Sequence, residues 1–272
     1  MSERNMLGEK PVGELLVSFT VPSIVAMLVS SLYNIVDQYF IGQYVGSLGN
    51  AATNIAFPLS ISCTAIALLC GIGGASSFNL AMGKGDKEKA LYYIGNGIIL
   101  MLTMGIILCL VSELFLEKML LFFGSPLDVL EYAKAYTRIT AFGFPFLILT
   151  TGGGHLIRAD GSPRFSMFCN LTGAVINTIL DAIFVKYLQF GMAGAAVATI
   201  IGQIISGTMV ICYLLHFKTG KLKKDHLKPR KDCMLRVAAL GAAPCTNQLS
   251  MMVVQIVMNK SLKYYGSLSV YG

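Results

Sequence analysis

Charge is scarce in this sequence. Only 13% of its 272 residues are Asp, Glu, Lys or Arg, and 55% are hydrophobic; a soluble domain carries about 25% charged residues. The deficit is uneven, because long stretches have almost no charge and the mean hydropathy is +0.67. Apolar runs of about 20 residues are long enough to cross a bilayer, so the pattern reads as membrane spans and excludes one large soluble core. Other absences narrow the chemistry. No H-E-x-x-H or G-x-S-x-G occurs, which leaves zinc and serine hydrolysis without support. The glycine runs at Gly71, Gly73 and Gly74 and at Gly152, Gly153 and Gly154 are apolar and lack a P-loop lysine, so close helix packing explains them and ATP coupling does not. The seven Cys form no C-x-x-C pair and no metal spacing. Most lie in apolar segments, where a free thiol packs as a small hydrophobe. No cleavage pattern follows the first apolar run, which is too long for a signal peptide and reads as a first anchor.

Seven apolar runs stand between polar breaks, near 14–44, 52–82, 89–113, 127–157, 163–187, 191–216 and 234–262. The breaks have turn chemistry: GSLGN, GKGDK, GSPLD, ADGSP and QFG. Several runs exceed the length of a straight crossing, so tilt or kinks are expected. Pro22 falls inside the first span and Pro145 inside the fourth, each removing one backbone hydrogen bond. Fifteen of the 21 Lys/Arg collect at the N-terminus (Arg4, Lys10), in the second and fourth loops, and in HFKTGKLKKDHLKPRKDCMLR after the sixth span. The positive-inside rule therefore places the N-terminus and the even loops in the cytoplasm. The net charge of +7 is then topological, fitting contact with anionic membrane lipids and not with nucleic acid.

Of fourteen Asp and Glu, only Asp37 and Asp181 lie well within spans. A charged side chain at the bilayer centre costs roughly 2.5–3.5 kcal/mol even on insertion scales, so two such acids need a reason. Asn177 precedes Asp181 by four residues, on the same helix face. A helix rises about 1.5 Å per residue, which puts Asp37 roughly 34 Å along the first span and Asp181 about 26 Å along the fifth, both in the outer half. Tyr136 and Thr199, on spans running the other way, come to a similar depth at about 14 and 12 Å from the outer ends. Asp37, Asn177, Asp181, Tyr136 and Thr199 then form a set of oxygens suited to a hard cation or a shared proton. Taken singly, either acid also reads as a satisfied structural group, and Tyr136 and Thr199 as packing residues.

After the basic segment the sequence restarts. LGAAPCTNQLSMMVVQIVMNKSLKYYGSL follows the plan of FTVPSIVAMLVSSLYNIVDQYFIGQYVGSL, with Pro244 matching Pro22 and Gly266-Ser267-Leu268 matching Gly46-Ser47-Leu48. No acid stands in the second copy, where Asn259 is nearest to the place of Asp37. Six spans, a basic linker and a restart follow the plan of a six-plus-six transporter. The division is a six-helix membrane lobe over 1–215, a basic cytoplasmic linker over 216–233, and the first helix of a truncated second lobe over 234–272.

The chain resembles the multidrug and toxic compound extrusion (MATE) family, in particular its MepA-like branch. The resemblance rests on KPVGELLVSFTVPSIVAMLVSSLYNIVDQYFIG, on IRADGSPRFSM opening the fifth span, on the N-x-x-x-D of Asn177 and Asp181, and on GMAGAAVATIIGQ in the sixth. It implies an all-α integral membrane protein: a six-helix N-terminal lobe plus a seventh transmembrane helix of an incomplete two-lobe transporter. It also implies alternating-access export of organic cations against an inward H⁺ or Na⁺ gradient across a bacterial inner membrane. No organic cofactor is expected. The family's coupling site carries over to Asp37, Asn177, Asp181, Tyr136 and Thr199, with a candidate Na⁺ position at Asp37, Asn177 and Asp181 and a helix-1 hinge at Pro22. Where the branch has a basic residue after the first acid and Pro after the second, this chain has Gln38 and Ala182, so a straighter fifth helix is expected. The alternatives are a lipid-linked saccharide flippase, which needs a more cationic cavity, and an intramembrane aspartyl protease, whose second acid follows a different motif. The absent partner lobe leads to the expectation that residues 1–272 do not transport alone.

Overall fold

The computed structural model describes residues 11–265. Arg4, Lys10 and the Gly266-Ser267-Leu268 turn lie outside the described residues. Eight α-helices follow one another: α1 (Val12–Tyr44), α2 (Ser47–Gly83), α3 (Lys87–Phe122), α4 (Leu127–Ala141), α5 (Phe144–Ala159), α6 (Pro163–Asp181), α7 (Gly191–Leu215) and α8 (Lys231–Tyr265). No strand occurs among the described residues. Among the described residues six helices are long and apolar enough to cross a membrane, or seven spans if the bent pair α4 and α5 counts as one. Leu28, Leu32 and Ile35 of α1 and Ile106, Ile107 and Leu110 of α3 are exposed, as an apolar surface bathed by lipid requires.

The spans read from sequence depart from the structure in three places. The fourth is two helices bent by 59°, with Pro145 in the first turn of α5 instead of inside a continuous helix. Proline has no N–H to give and its ring clashes with the carbonyl four residues back, so the helix ends before it and restarts. Gly143 occupies the break, where a Cβ would collide with the Gln203 side chain of α7. The third span runs on past residue 113 to Phe122, with non-helical backbone at Phe115. Its charged end is paired, since Glu117 lies 2.8 Å from Lys134 and Glu113 lies 3.9 Å from Arg138, both on α4. The fifth span is not simply straighter at Ala182, because the chain passes there from α-geometry into a π-helix over Ala182–Tyr187. π-Turns of this kind recur at functional sites.

α2 is the hub and packs on α3, α4, α5 and α8, while α6 packs on α7 and α1. Glycines set how closely the helices approach. A Cβ on Gly73 would overlap the Val237 carbonyl of α8, and one on Gly241 of α8 would overlap the Leu69 carbonyl of α2. Without a hydrophobic drive between helices in lipid, such backbone-to-backbone contact supplies the packing energy. Ile55, Leu59, Ile94, Ile148 and Leu156 fill the interior between these contacts.

The basic segment between α7 and α8 is tied to the bundle by two buried polar side chains. Asp160 accepts from the backbone N–H of Lys218 (2.7 Å) and Thr219 (3.1 Å) and from the Tyr213 hydroxyl (3.0 Å). Asn96, fully buried in α3, accepts from the Arg230 N–H at 2.8 Å and donates to the carbonyls of Tyr92 and Lys228. Between them His226 is 1% exposed. Its Nδ1 accepts from the Lys223 N–H and its Nε2 lies 3.2 Å from Glu88. Asn96→Ala would leave the Arg230 N–H without its acceptor, at a cost of about 1–3 kcal/mol. The variant should unfold at lower temperature and be cut faster by trypsin within 218–230, both measured in detergent.

Candidate functional site

The inward face of α1 presents few polar groups, and Asp37 is one of them. It is 8% exposed, Asn177 3% and Asp181 fully buried. The carboxyl groups of Asp37 and Asp181 lie within hydrogen-bonding reach of each other. Asn177 sits one turn before Asp181 on α6 and donates from Nδ2 to the Thr199 hydroxyl of α7 at 3.4 Å. The Tyr136 hydroxyl of α4 is in turn within reach of Thr199. All five sequence-predicted polar residues therefore meet in one place, drawn from four helices. Pro22 does not join them. It is buried fifteen positions earlier on α1, which continues through it as one helix.

Small residues bring these side chains together. Gly173 of α6 and Gly202 of α7 face each other, and a Cβ on Gly202 would come within 2.8 Å of the Gly173 carbonyl and 3.2 Å of Asn177 Cβ. The close crossing allows the short Asn177 side chain to reach Thr199. The break at Gly143 turns α4 relative to α5 and seats it against α7, on the side where Tyr136 meets Thr199.

Two residues of the neighbourhood escaped sequence reasoning. Tyr33 lies close to both acids and to Tyr136; its signal was the spacing of four from Asp37, which puts both on one face of α1. Gln38 makes reciprocal hydrogen bonds with Thr53 of α2, at 3.0 and 3.1 Å. This pins α1 one residue away from Asp37, a role that no local pattern announces.

The electrostatics of the site are one-sided. Asp37 Oδ1, both carboxylate oxygens of Asp181 and Asn177 Oδ1 are buried with no hydrogen-bond partner. All four are acceptors, and no donor of the surrounding protein is hydrogen-bonded to them. Two close carboxylates cannot both stay charged in such a place unless a proton or a cation lies between them. Among the described residues no group of three His, Cys, Asp or Glu converges. The donor set is thus too poor in charge for a divalent metal, and it fits a proton or a small monovalent cation held by two carboxylates and an amide oxygen.

A family model described as MatE matches residues 22–183. The chain is 28% identical over 263 residues to the multidrug export protein MepA of Staphylococcus haemolyticus, covering 96% of this chain and 58% of that protein. The MATE multidrug transporter DinF-BH, solved with a ligand bound, superposes with a TM-score of 0.89 at 30% identity, over 97% of this chain and 60% of that one. Two further solved structures, an inward-facing and an outward-facing conformation of a MATE family transporter of the MOP superfamily, give TM-scores of 0.82 and 0.81 at 23% and 24% identity. The chain spans less than two thirds of the length of each of these relatives.

The orphaned oxygens give a stability test. Asp37→Asn removes one of two adjacent like charges and supplies an N–H to Asp181. In sodium-free buffer it should unfold about 2–4 °C higher, the shift expected for roughly 1 kcal/mol in a chain of this size. Thermal unfolding in detergent checks this, and a lower unfolding temperature would mean that the two carboxylates are not in conflict.

Proposed function

Since this chain belongs to the MATE family, whose members are membrane transporters and not enzymes, we propose that it forms the ion-coupling lobe of a multidrug exporter. It is a multi-pass membrane protein. The observation that carries the proposal is the quartet of unpartnered oxygens on Asp37, Asn177 and Asp181. An inward-moving H⁺ or Na⁺ is the missing partner. Desolvation disfavours an ionised carboxylate and a bound cation favours it, so the site holds its coupling ion by compensating charge. Tyr136 and Thr199 orient Asn177 from the opposite side, and Tyr33 closes the pocket beside Asp37.

Binding of the ion neutralises the pocket and removes the repulsion between α1 and α6. The two helices then favour a different arrangement, with α1 bending at Pro22. A cationic drug and the coupling ion prefer different arrangements of the lobe, and that difference in affinity is what antiport requires. The inward- and outward-facing relatives supply the two end states of such a cycle for their own chain, and this lobe shares their fold. The lysines and arginines between α7 and α8 support a cytoplasmic position for that end, with the acid pair towards the outside.

The test is ethidium efflux, under separately imposed Na⁺ and pH gradients, from vesicles holding a full-length two-lobe transporter that contains this lobe. The gradient that drives efflux names the coupling ion. Asp37→Asn should lower gradient-driven efflux at least about tenfold, since an amide keeps the shape and cannot take up charge. Near-normal efflux by that variant would falsify the coupling role of Asp37.

A further inference from the structure

Arg158 and His155 form a second polar cluster, at the opposite end of the bundle from the acids. Arg158 stands in the last turn of α5 and is half-buried. Its Nη2 lies 3.2 Å from His155 Nδ1. A guanidinium has only donors to offer, so Nδ1 is the acceptor and the ring proton sits on Nε2. Both side chains then present N–H groups outward. Among the described residues no carboxylate forms an ion pair with Arg158. A partly desolvated cation without a counter-charge is costly in a membrane protein and marks a place where an anion is missing.

The space for one is present. A cavity of about 260 Å³ adjoins this pair, lined by Phe19 of α1, Ile72, Ser76 and Asn79 of α2, and His155 and Arg158 of α5. Its lining contains no acid and is apolar at Phe19, Ile72, Ala75 and Ala159. Asn79 lies within five residues of the end of α2 and Arg158 within two of the end of α5. The cavity therefore opens at headgroup depth, on the side that carries the basic segment. Planar N–H groups suit a phosphate, which they grip through paired charge-assisted hydrogen bonds. The apolar lining residues suit the glycerol and first methylenes attached to it.

We propose that this pocket is a binding site for a phosphate-bearing group, supplied by a phospholipid of the cytoplasmic leaflet. The Arg158 guanidinium grips the phosphate, His155 Nε2–H adds a donor, and Phe19 and Ile72 cover the apolar part. This is a defined site between three helices, separate from the general attraction of the basic segment for anionic lipid.

The test is the unfolding temperature of the purified chain in neutral detergent, titrated with phosphatidylglycerol, with diacylglycerol, and with free inorganic phosphate. Phosphatidylglycerol should raise it and diacylglycerol should not. Arg158→Gln should weaken the phosphatidylglycerol response about tenfold, while Lys84→Gln, at the same end but outside the pocket, should leave it intact. Ser76→Leu, which fills the cavity from α2 without touching the guanidinium, should weaken it as well and serves if Arg158→Gln does not fold. An Arg158-dependent response to inorganic phosphate equal to that of the lipid would assign the site to a soluble phosphate compound. An equal phosphatidylglycerol response in wild type, Arg158→Gln and Ser76→Leu, or no response to either phosphate, would overturn the site.

Discussion

Two carboxylates held within reach of each other, in a bundle that gives neither a donor, set the terms for the rest of this structure. A protein interior usually pairs buried acids with cations or backbone amides. Here Asp37, Asp181 and Asn177 bury four acceptor oxygens without a hydrogen-bond partner, and the nearby Thr199 hydroxyl accepts from Asn177 Nδ2. A bundle free to relax would separate the acids. What prevents this is the packing behind them: the Gly173–Gly202 crossing fixes α6 on α7, and the Gln38–Thr53 bonds fix α1 on α2. The strain is local and the restraint is spread over four helices. The packing behind the acids therefore holds their oxygens in place.

The same logic explains why glycine is so frequent at the helix contacts. Lipid offers no hydrophobic reward for bringing two helices together, so the reward must come from close van der Waals contact. Gly71 against Gly152, Gly73 against Val237 and Gly241 against Leu69 are approaches that any side chain would block. They make α2 the common wall of the lobe and hold α8 along much of its length. At the far end of α8, Lys263 donates to the Ser125 carbonyl at 2.8 Å and Lys260 lies over the Phe122 ring.

Much of this was legible in the sequence, and what was not has physical causes. The positions of the helices follow from hydropathy, and the i, i+4 spacing of Asn177 and Asp181 is enough to put them on one helix face. Depth counted along each helix sufficed to bring Tyr136 and Thr199 level with the acids. Hydropathy could not separate α4 from α5, because no polar break stands between them and the bend falls at Gly143, which meets Gln203 of another helix. It stopped the third span too early at Glu113, whose partner Arg138 lies in the next helix. The π-helix after Asp181 leaves no mark in composition. Nor do the tethers of the linker, since a buried Asn96 in an apolar run looks the same whether it bonds to its own turn or to a distant loop.

Those tethers have a consequence for how the protein is made. Asn96 waits for Arg230, which follows it by 134 residues, and Asp160 waits for Lys218 and Thr219. While a ribosome delivers the chain, α3 and α5 enter the bilayer before these partners exist, and of the later helices α7 alone contributes, through the Tyr213 hydroxyl on Asp160. Only when the basic segment has been synthesised do these groups find their remaining partners. The loop thus acts as a closing stitch, and the lobe reaches its final form after its last span has been inserted. A destabilised stitch would show itself during biogenesis, as nascent chains cleared by membrane proteases, more strongly than in the finished protein.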